Sequence, residues 1–181
     1  MGDYLNLQNK VAVVTGGARG IGRCIVTELA AFSARIVFCD LNDTEGQKTF
    51  QEIQESGGTA TYLHCDVTDQ KQVDRLIRKA VDTYGTVDIL VNNAGIGAIS
   101  LPFEEITDED WELLLKVDLT APFYLCRAAI PIMKSKKYGK IINISSGAGI
   151  IGSEFCAHYA SAKAGLIGFT QSIAKELAQD H

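Results

Sequence analysis

The sequence predicts a doubly wound α/β domain, an open parallel sheet of the Rossmann type with helices on both faces. Three observations carry this prediction. Five short apolar runs of strand length are separated by four longer segments whose apolar residues recur at helical spacing. The first apolar run, Val11-Ala12-Val13-Val14, passes straight into a glycine-rich turn, Thr15-Gly16-Gly17-Ala18-Arg19-Gly20-Ile21-Gly22. No linker rich in proline, glycine or serine divides the 181 residues, so a single domain over residues 1–181 is expected, burying roughly 70% of its unfolded surface.

Each element follows from local chemistry. After the first strand, Ile21 to Ala31 places Ile25, Val26, Leu29 and Ala30 on one helical face. Arg35 to Asp40 is a strand ending in a carboxylate, and the polar helix from Asp43 to Ser56 is stopped by Gly57-Gly58. Thr59 to Cys65 is a third strand. Asp66-Val67-Thr68-Asp69 leads into a helix from Gln70 to Tyr84 that buries Val73, Leu76, Ile77 and Ala80 and ends at Gly85. Val87 to Asn92 is the fourth strand, followed by a loop from Asn93 to Glu105. Thr107-Asp108-Glu109-Asp110 then caps one long helix through Trp111, Leu114, Val117 and Leu125, with its acids at the positive end of the helix. Lys140 to Ser145 is the fifth strand, Ser146 to about Ala157 a loop, and His158 to Ala178 the closing helix.

Composition excludes several functions. The net charge is -5, and the densest basic stretch is Lys134-Ser135-Lys136-Lys137, which argues against a nucleic-acid or anionic-membrane partner. No apolar run approaches the roughly 18 residues needed to span a bilayer, and Met1 to Lys10 lacks a hydrophobic signal core. The cysteines at 24, 39, 65, 126 and 156 show no C-x-x-C spacing and read as buried free thiols, which suits a reducing cytoplasm. Cys156 and His158 lack metal-ligand spacing and read as packing, so no metal is expected.

In a sheet built from right-handed parallel crossovers, ligands lie beyond the carboxyl ends of the strands, so Gly16, Asp40, Asp66, Asn92 and Ser145 are expected around one crevice. The glycines at 16, 20 and 22 let the backbone turn sharply and approach a diphosphate, which the first N–H groups of the following helix would hold. Asp40 follows Gly22 by 18 residues, the spacing at which a carboxylate meets the ribose of a dinucleotide. Tyr159 and Lys163 stand four apart on a helix and share a face. Bringing a phenol from its ordinary pKa near 10 to about 7 takes roughly 4 kcal/mol of differential interaction, which an adjacent ammonium helps to supply. Singly, each feature also has an ordinary structural use: a turn, a helix cap, a surface pair.

Together, Thr15-Gly16-x-x-x-Gly20-Ile21-Gly22, Asp66-Val67, Asn92-Asn93-Ala94-Gly95, Ser146 and Tyr159-x-x-x-Lys163, in that order, resemble the short-chain dehydrogenase/reductase family from about Lys10 onward. The resemblance implies an NAD(P)-dependent oxidoreductase acting on an alcohol or carbonyl. It assigns Tyr159 as acid/base, Lys163 to lowering its pKa and binding the nicotinamide ribose, and Ser146 to the substrate oxygen. Ser146, 13 residues before Tyr159, is preferred to Ser145. It places Asp66 beside the adenine, Asn92 and Gly95 along the cofactor and Ile21 at the phosphate turn, and it counts Val67 and Ala94 among the cofactor-binding residues. Asp40 favours NAD over NADP, and Arg19 in the glycine turn argues mildly for NADP.

Two departures from the family pattern stand out. Members usually carry an asparagine seven residues after the tryptophan of the long helix, supporting a water relay to the lysine; counting from Trp111, this chain has Asp118, where the relay contact can rest on the backbone carbonyl. Members are also usually longer, with two more strands and a substrate-covering segment. The expectation is therefore that the 181 residues either belong to a longer product or, alone, expose the fifth strand as an edge, bind NAD poorly and self-associate. A homodimer or homotetramer is expected at full length, pairing through the helices at 108–134 and 158–178. The leading expectation is an NAD-dependent dehydrogenase of a neutral, partly apolar secondary alcohol or ketone, since no Lys or Arg lies between Asn93 and Glu105 or between Ser146 and Tyr159. The alternatives are an NADPH-dependent carbonyl or 3-oxoacyl reductase and a non-catalytic dinucleotide-binding fragment.

Overall fold

All five residues of Val11–Thr15 (β1) are buried, because a central strand of a parallel sheet has a helical layer on each face. Val11 and Val13 point to one core and Ala12 and Val14 to the other, the period-2 alternation of a strand. The computed structural model describes residues 7–97 and 99–180; the polar stretch before Leu7, position 98 in the loop after the fourth strand, and His181 lie outside the described residues. The remaining strands are Arg35–Asp40 (β2), Thr59–His64 (β3), Ile89–Asn92 (β4) and Lys140–Asn143 (β5), all parallel, in the order β3-β2-β1-β4-β5. The doubly wound α/β fold is the one expected. Its order reverses between β1 and β4, which is where a crevice opens.

Gly20–Ala31 (α1) and Asp43–Glu55 (α2) cover the face of Ala12, Val14, Ile36 and Phe38 through Val26, Ala30 and Ile53. Gln70–Tyr84 (α3) and Ala121–Lys136 (α5) cover the face of Val11, Val13, Val37 and Leu90. Asn42 caps α2 by accepting from Glu45 N, and Asp69 caps α3 by accepting from Lys71 N, with Gly85 closing α3 in the left-handed region. At the end of the sheet away from the crevice, buried Asp88 accepts from Val11 N at 2.9 Å and from Lys136 Nζ at 3.1 Å, tying β1 to α5.

The single helix expected after Thr107 is in fact two. Asp108–Leu115 (α4), started by a reciprocal Thr107–Asp110 cap, opens into a π-turn at Lys116–Thr120 before α5 begins. The reason is Pro122, which has no N–H for the carbonyl of Asp118, so the α-ladder cannot run through; the bond slips by one residue and Ala121 N donates to Lys116 O. The expected loop after Ser146 contains a one-turn helix, Ala148–Ile151 (α6), and the closing helix is Ala157–Leu177 (α7). β5 is also shorter than expected: Ile144 N still bonds Asn92 O, after which Ser145 and Ser146 leave the sheet. Of the cysteines, 39, 65 and 126 are buried free thiols as expected, Cys156 is half-buried and Cys24 is exposed on α1.

Among the described residues β5 has a strand neighbour on one side only, and Ile142 is 47% exposed on it. Ile141 and Ile144, expected to share that exposure, pack partly against the two cores. An unpaired apolar edge recruits further strands, and a lysine there blunts pairing. The 181-residue chain is therefore expected to scatter light in a concentration-dependent way, and Ile142→Lys to reduce that scattering; identical scattering from both proteins would locate the contact elsewhere.

Candidate active site

The glycine turn joins β1 to α1 at the switch point. Gly16 and Gly20 have φ of +66° and +56°, which L side chains rarely adopt, and around Gly20 a β-carbon would meet nothing within 4 Å. Arg19, the N-cap residue of α1, offers no side-chain cap, so the first N–H groups of the helix remain available to an anion. Gly22 is there for packing: a β-carbon on it would run into the carbonyl oxygen of Gly16 and the amide of Asn93. The crevice in front of this turn has a volume of about 400 Å³, and Gly16, Arg19, Gly20, Ile21 and Gly22 form one wall. Asp40 and Leu41 form another, Asp66 and Val67 a third, and Ala94 and Gly95 the floor toward α7.

The Asp40 carboxylate is fixed before any ligand arrives. Its Oδ2 accepts from Ala18 N at 3.1 Å and its Oδ1 from Asn42 N at 3.0 Å, one bond per oxygen, so each keeps capacity for a hydroxyl donor. Asp66 Oδ1 likewise accepts from Thr68 N at 2.8 Å, turning the chain after β3. Asn92 departs from expectation. It is 2% exposed and faces α5, donating to Asn143 Oδ1 at 2.7 Å and Cys126 Sγ at 3.5 Å, so its side chain is directed away from the crevice. Strand alternation gives that place to Asn93, a residue to which the family resemblance assigns no role. Asn93 Nδ2 donates to the carbonyls of Thr15 and Gly16 at 2.9 and 3.0 Å, while Thr15 Oγ1 accepts from the N–H groups of Asn93 and Ala94. Thr15 and Asn93 thus stitch the glycine turn to the loop after β4. A doubled asparagine where a buried strand ends was the available signal.

Helix α7 brings in the remaining groups. Asn143 Nδ2 donates to Thr170 Oγ1 at 2.8 Å and Ser145 Oγ to Lys163 O at 3.1 Å, pinning the helix to the end of β5. Ser145 is spent on this support, whereas Ser146 Oγ accepts from Ala148 N at 3.2 Å and keeps its proton. Lys163 is buried; its Nζ donates to Ile144 O at 3.0 Å, lies 3.3 Å from Asp118 Oδ2 and sits 5.7 Å from the centre of the Tyr159 ring. Gly149 of α6 packs so closely on the backbone of Lys163 and Ala164 that a side chain there would lift α6 off α7. His158 is buried as packing, and among the described residues no cluster of His, Cys, Asp or Glu could hold a metal. No described helix is long and apolar enough to cross a membrane.

These residues fit a nicotinamide dinucleotide: an uncapped helix N-terminus behind a glycine cradle for the diphosphate, a pre-fixed carboxylate on the ribose side and an ammonium at the far end. Comparisons agree. A family model described as short chain dehydrogenase matches residues 10–181. A 3-oxoacyl-(acyl-carrier-protein) reductase of Synechocystis sp. is 39% identical over 173 residues, covering 95% of this chain and 70% of that protein. The corresponding reductase of Escherichia coli K12 is 38% identical over 174 residues, covering 96% and 70%. The crystal structure of a metagenomic short-chain oxidoreductase in complex with NADP superposes with a TM-score of 0.92 at 37% identity, covering 96% of this chain and 79% of that one.

Proposed function

The chain belongs to the short-chain dehydrogenase family, oxidoreductases of CH–OH and carbonyl groups that bind a nicotinamide dinucleotide, and on that premise we propose that Tyr159 is its acid/base, Ser146 its substrate-oxygen donor and Lys163 the cation that acidifies Tyr159. The observation that supports this reading is that Lys163 Nζ, held by Ile144 O and Asp118, lies 5.7 Å from the centre of the Tyr159 ring, while Ser146 follows Ile144 by two residues and keeps its hydroxyl proton. In the oxidative direction Tyr159 takes the hydroxyl proton, Ser146 donates a hydrogen bond to the oxygen becoming a carbonyl, and Lys163 stabilises the phenolate that starts the reaction. The bound nicotinamide supplies the hydride acceptor. Reduction uses the same residues in reverse.

The substrate is a neutral, partly apolar alcohol or carbonyl. Ile99, Phe103, Ile150 and Phe155 are exposed beside the start of α7, and Leu101 N bonds Phe155 O at 2.9 Å, so the two loops form a joined apolar rim. Turnover of a panel of secondary alcohols with NAD tests the reading, and cofactor binding without any turnover across the panel would favour a binding fragment.

The coenzyme is NAD. The relative solved with NADP favours NADP; what supports NAD here is Asp40, which lines the crevice with both oxygens fixed, able to accept a 2′-hydroxyl and repel a 2′-phosphate. Like charges brought together cost several kcal/mol, so kcat/KM with NAD is expected to exceed that with NADP by about tenfold or more. Equal or better use of NADP would show that Arg19 outweighs Asp40. In that case a 3-oxoacyl or other carbonyl reductase, as the relatives are named, would become the better reading.

A further inference from the structure

The π-turn at Lys116–Thr120 faces Asp118 inward, where it is 1% exposed. Its two oxygens do different things. Oδ1 accepts from Ile96 N at 2.9 Å, tying down the loop after β4, and Oδ2 stands 3.3 Å from Lys163 Nζ. Gly95 closes over the pair, since a β-carbon there would lie 3.2 Å from Asp118 Oδ1 and 3.4 Å from Lys163 Nζ. The ammonium is thus shared between an anion, the carbonyl of Ile144 and the Tyr159 ring. Burial pushes the Asp118 carboxyl above its ordinary range, against the opposing pull of the Ile96 N–H and of Lys163. The other titratable groups at this junction are Tyr159 and buried His158, both on α7. The loop after β4 brings no charged side chain before Glu104, the end of β5 brings a carbonyl and the hydroxyls of Ser145 and Ser146, and Glu112 on α4 and Lys116 on the π-turn are exposed.

We propose that Asp118 is a positioning residue that sets the acidity of Tyr159: its carboxylate fixes the Lys163 ammonium and offsets the positive charge Tyr159 feels, so the phenol ionises at higher pH than beside an unopposed lysine. The proposal rests on the assignment of Tyr159 above. The sign follows from charge alone. A phenolate next to a lone cation is favoured, and a second anion on that cation takes back part of the benefit. An amide at 118 keeps the acceptor for Ile96 N and removes the charge.

The test is a tyrosinate absorbance titration of the cofactor-free chain, with the same protein carrying Tyr159→Phe subtracted to isolate Tyr159. In Asp118→Asn the Tyr159 transition is expected to move to lower pH by about one unit, and the ascending limb of kcat/KM against pH in alcohol oxidation to move the same way. Asp118→Ala, which also removes the charge, is expected to move the transition in the same direction, and NADH fluorescence titration reports whether the crevice is intact in each variant. A Tyr159 transition that stays in place or moves upward when the carboxylate is removed overturns the proposal. The titration reads the acidity of Tyr159 whether or not it catalyses, so its outcome is separate from that of the acid/base assignment, which the activity of Tyr159→Phe decides.

Discussion

Tyr159→Phe is expected to lower kcat by about 10²-fold or more while leaving the melting temperature and NADH affinity close to those of the unchanged protein. The ring is only half-buried at the start of α7, and phenylalanine preserves its packing and its face toward Lys163. What disappears is the hydroxyl proton that the proposed acid/base would exchange with the substrate oxygen. The accompanying measurement is Lys163→Ala, which removes the cation beside the ring together with the bond to Ile144 O, and so is expected to impair both turnover and nucleotide binding. If Tyr159→Phe turned over at a near-normal rate, proton transfer would have to be reassigned, with the hydroxyl of Ser146 the next group to examine.

Gly22→Ala is expected to be the most damaging added methyl among the described glycines. Its β-carbon would occupy space already held by the Gly16 carbonyl and the Asn93 amide, the two groups that hold the glycine turn against the loop after β4. Overpacking of this kind costs about 1–3 kcal/mol, and here it would be released by tilting α1 away from β1. Nucleotide affinity and melting temperature should therefore fall together. Gly20→Ala makes the contrast, because its methyl meets no protein atom and only the positive φ penalises the fold, by about 1–2 kcal/mol. A larger loss of melting temperature in Gly20→Ala than in Gly22→Ala would contradict this division between a glycine that packs and a glycine that faces the ligand.

The fold was legible because each of its signals is local. Continuous apolar runs, the cap at Thr107, and the glycine stops at 57 and 85 can all be read within a few residues, whereas the caps at Asn42 and Asp69 emerge only with the structure. The site was legible where backbone geometry demands a residue type, as at Gly16, Gly20 and Gly22, and where a pair shares one helical face, as Tyr159 and Lys163 do. It was less legible where the answer is a direction. Asn92 and Asn93 are adjacent and chemically identical, and only the pleat decides that the first enters the core with Asn143 and Cys126 while the second reaches the glycine turn. The break in the long helix was present as Pro122, yet a proline in the first turn of a helix is ordinary. It takes the register of α4 to show that the proline stands where α4 would otherwise continue.

That break also constrains how the chain can change in length. Each residue of an α-helix advances the chain by about 100° of azimuth, so the residue count sets which side chains face inward, and on the π-turn that position is held by buried Asp118. Loops such as 93–105 and 152–156 can absorb an insertion or a deletion by changing their path. Between Trp111 and Leu125 there is no such slack, because Asp118 on the π-turn reaches Ile96 N with one oxygen and stands 3.3 Å from Lys163 Nζ with the other, so a one-residue deletion there would displace position 118 from both partners. Across natural variation, the number of residues separating that tryptophan from Lys163's helix should therefore drift only through the loops, while the 111–125 segment keeps its length.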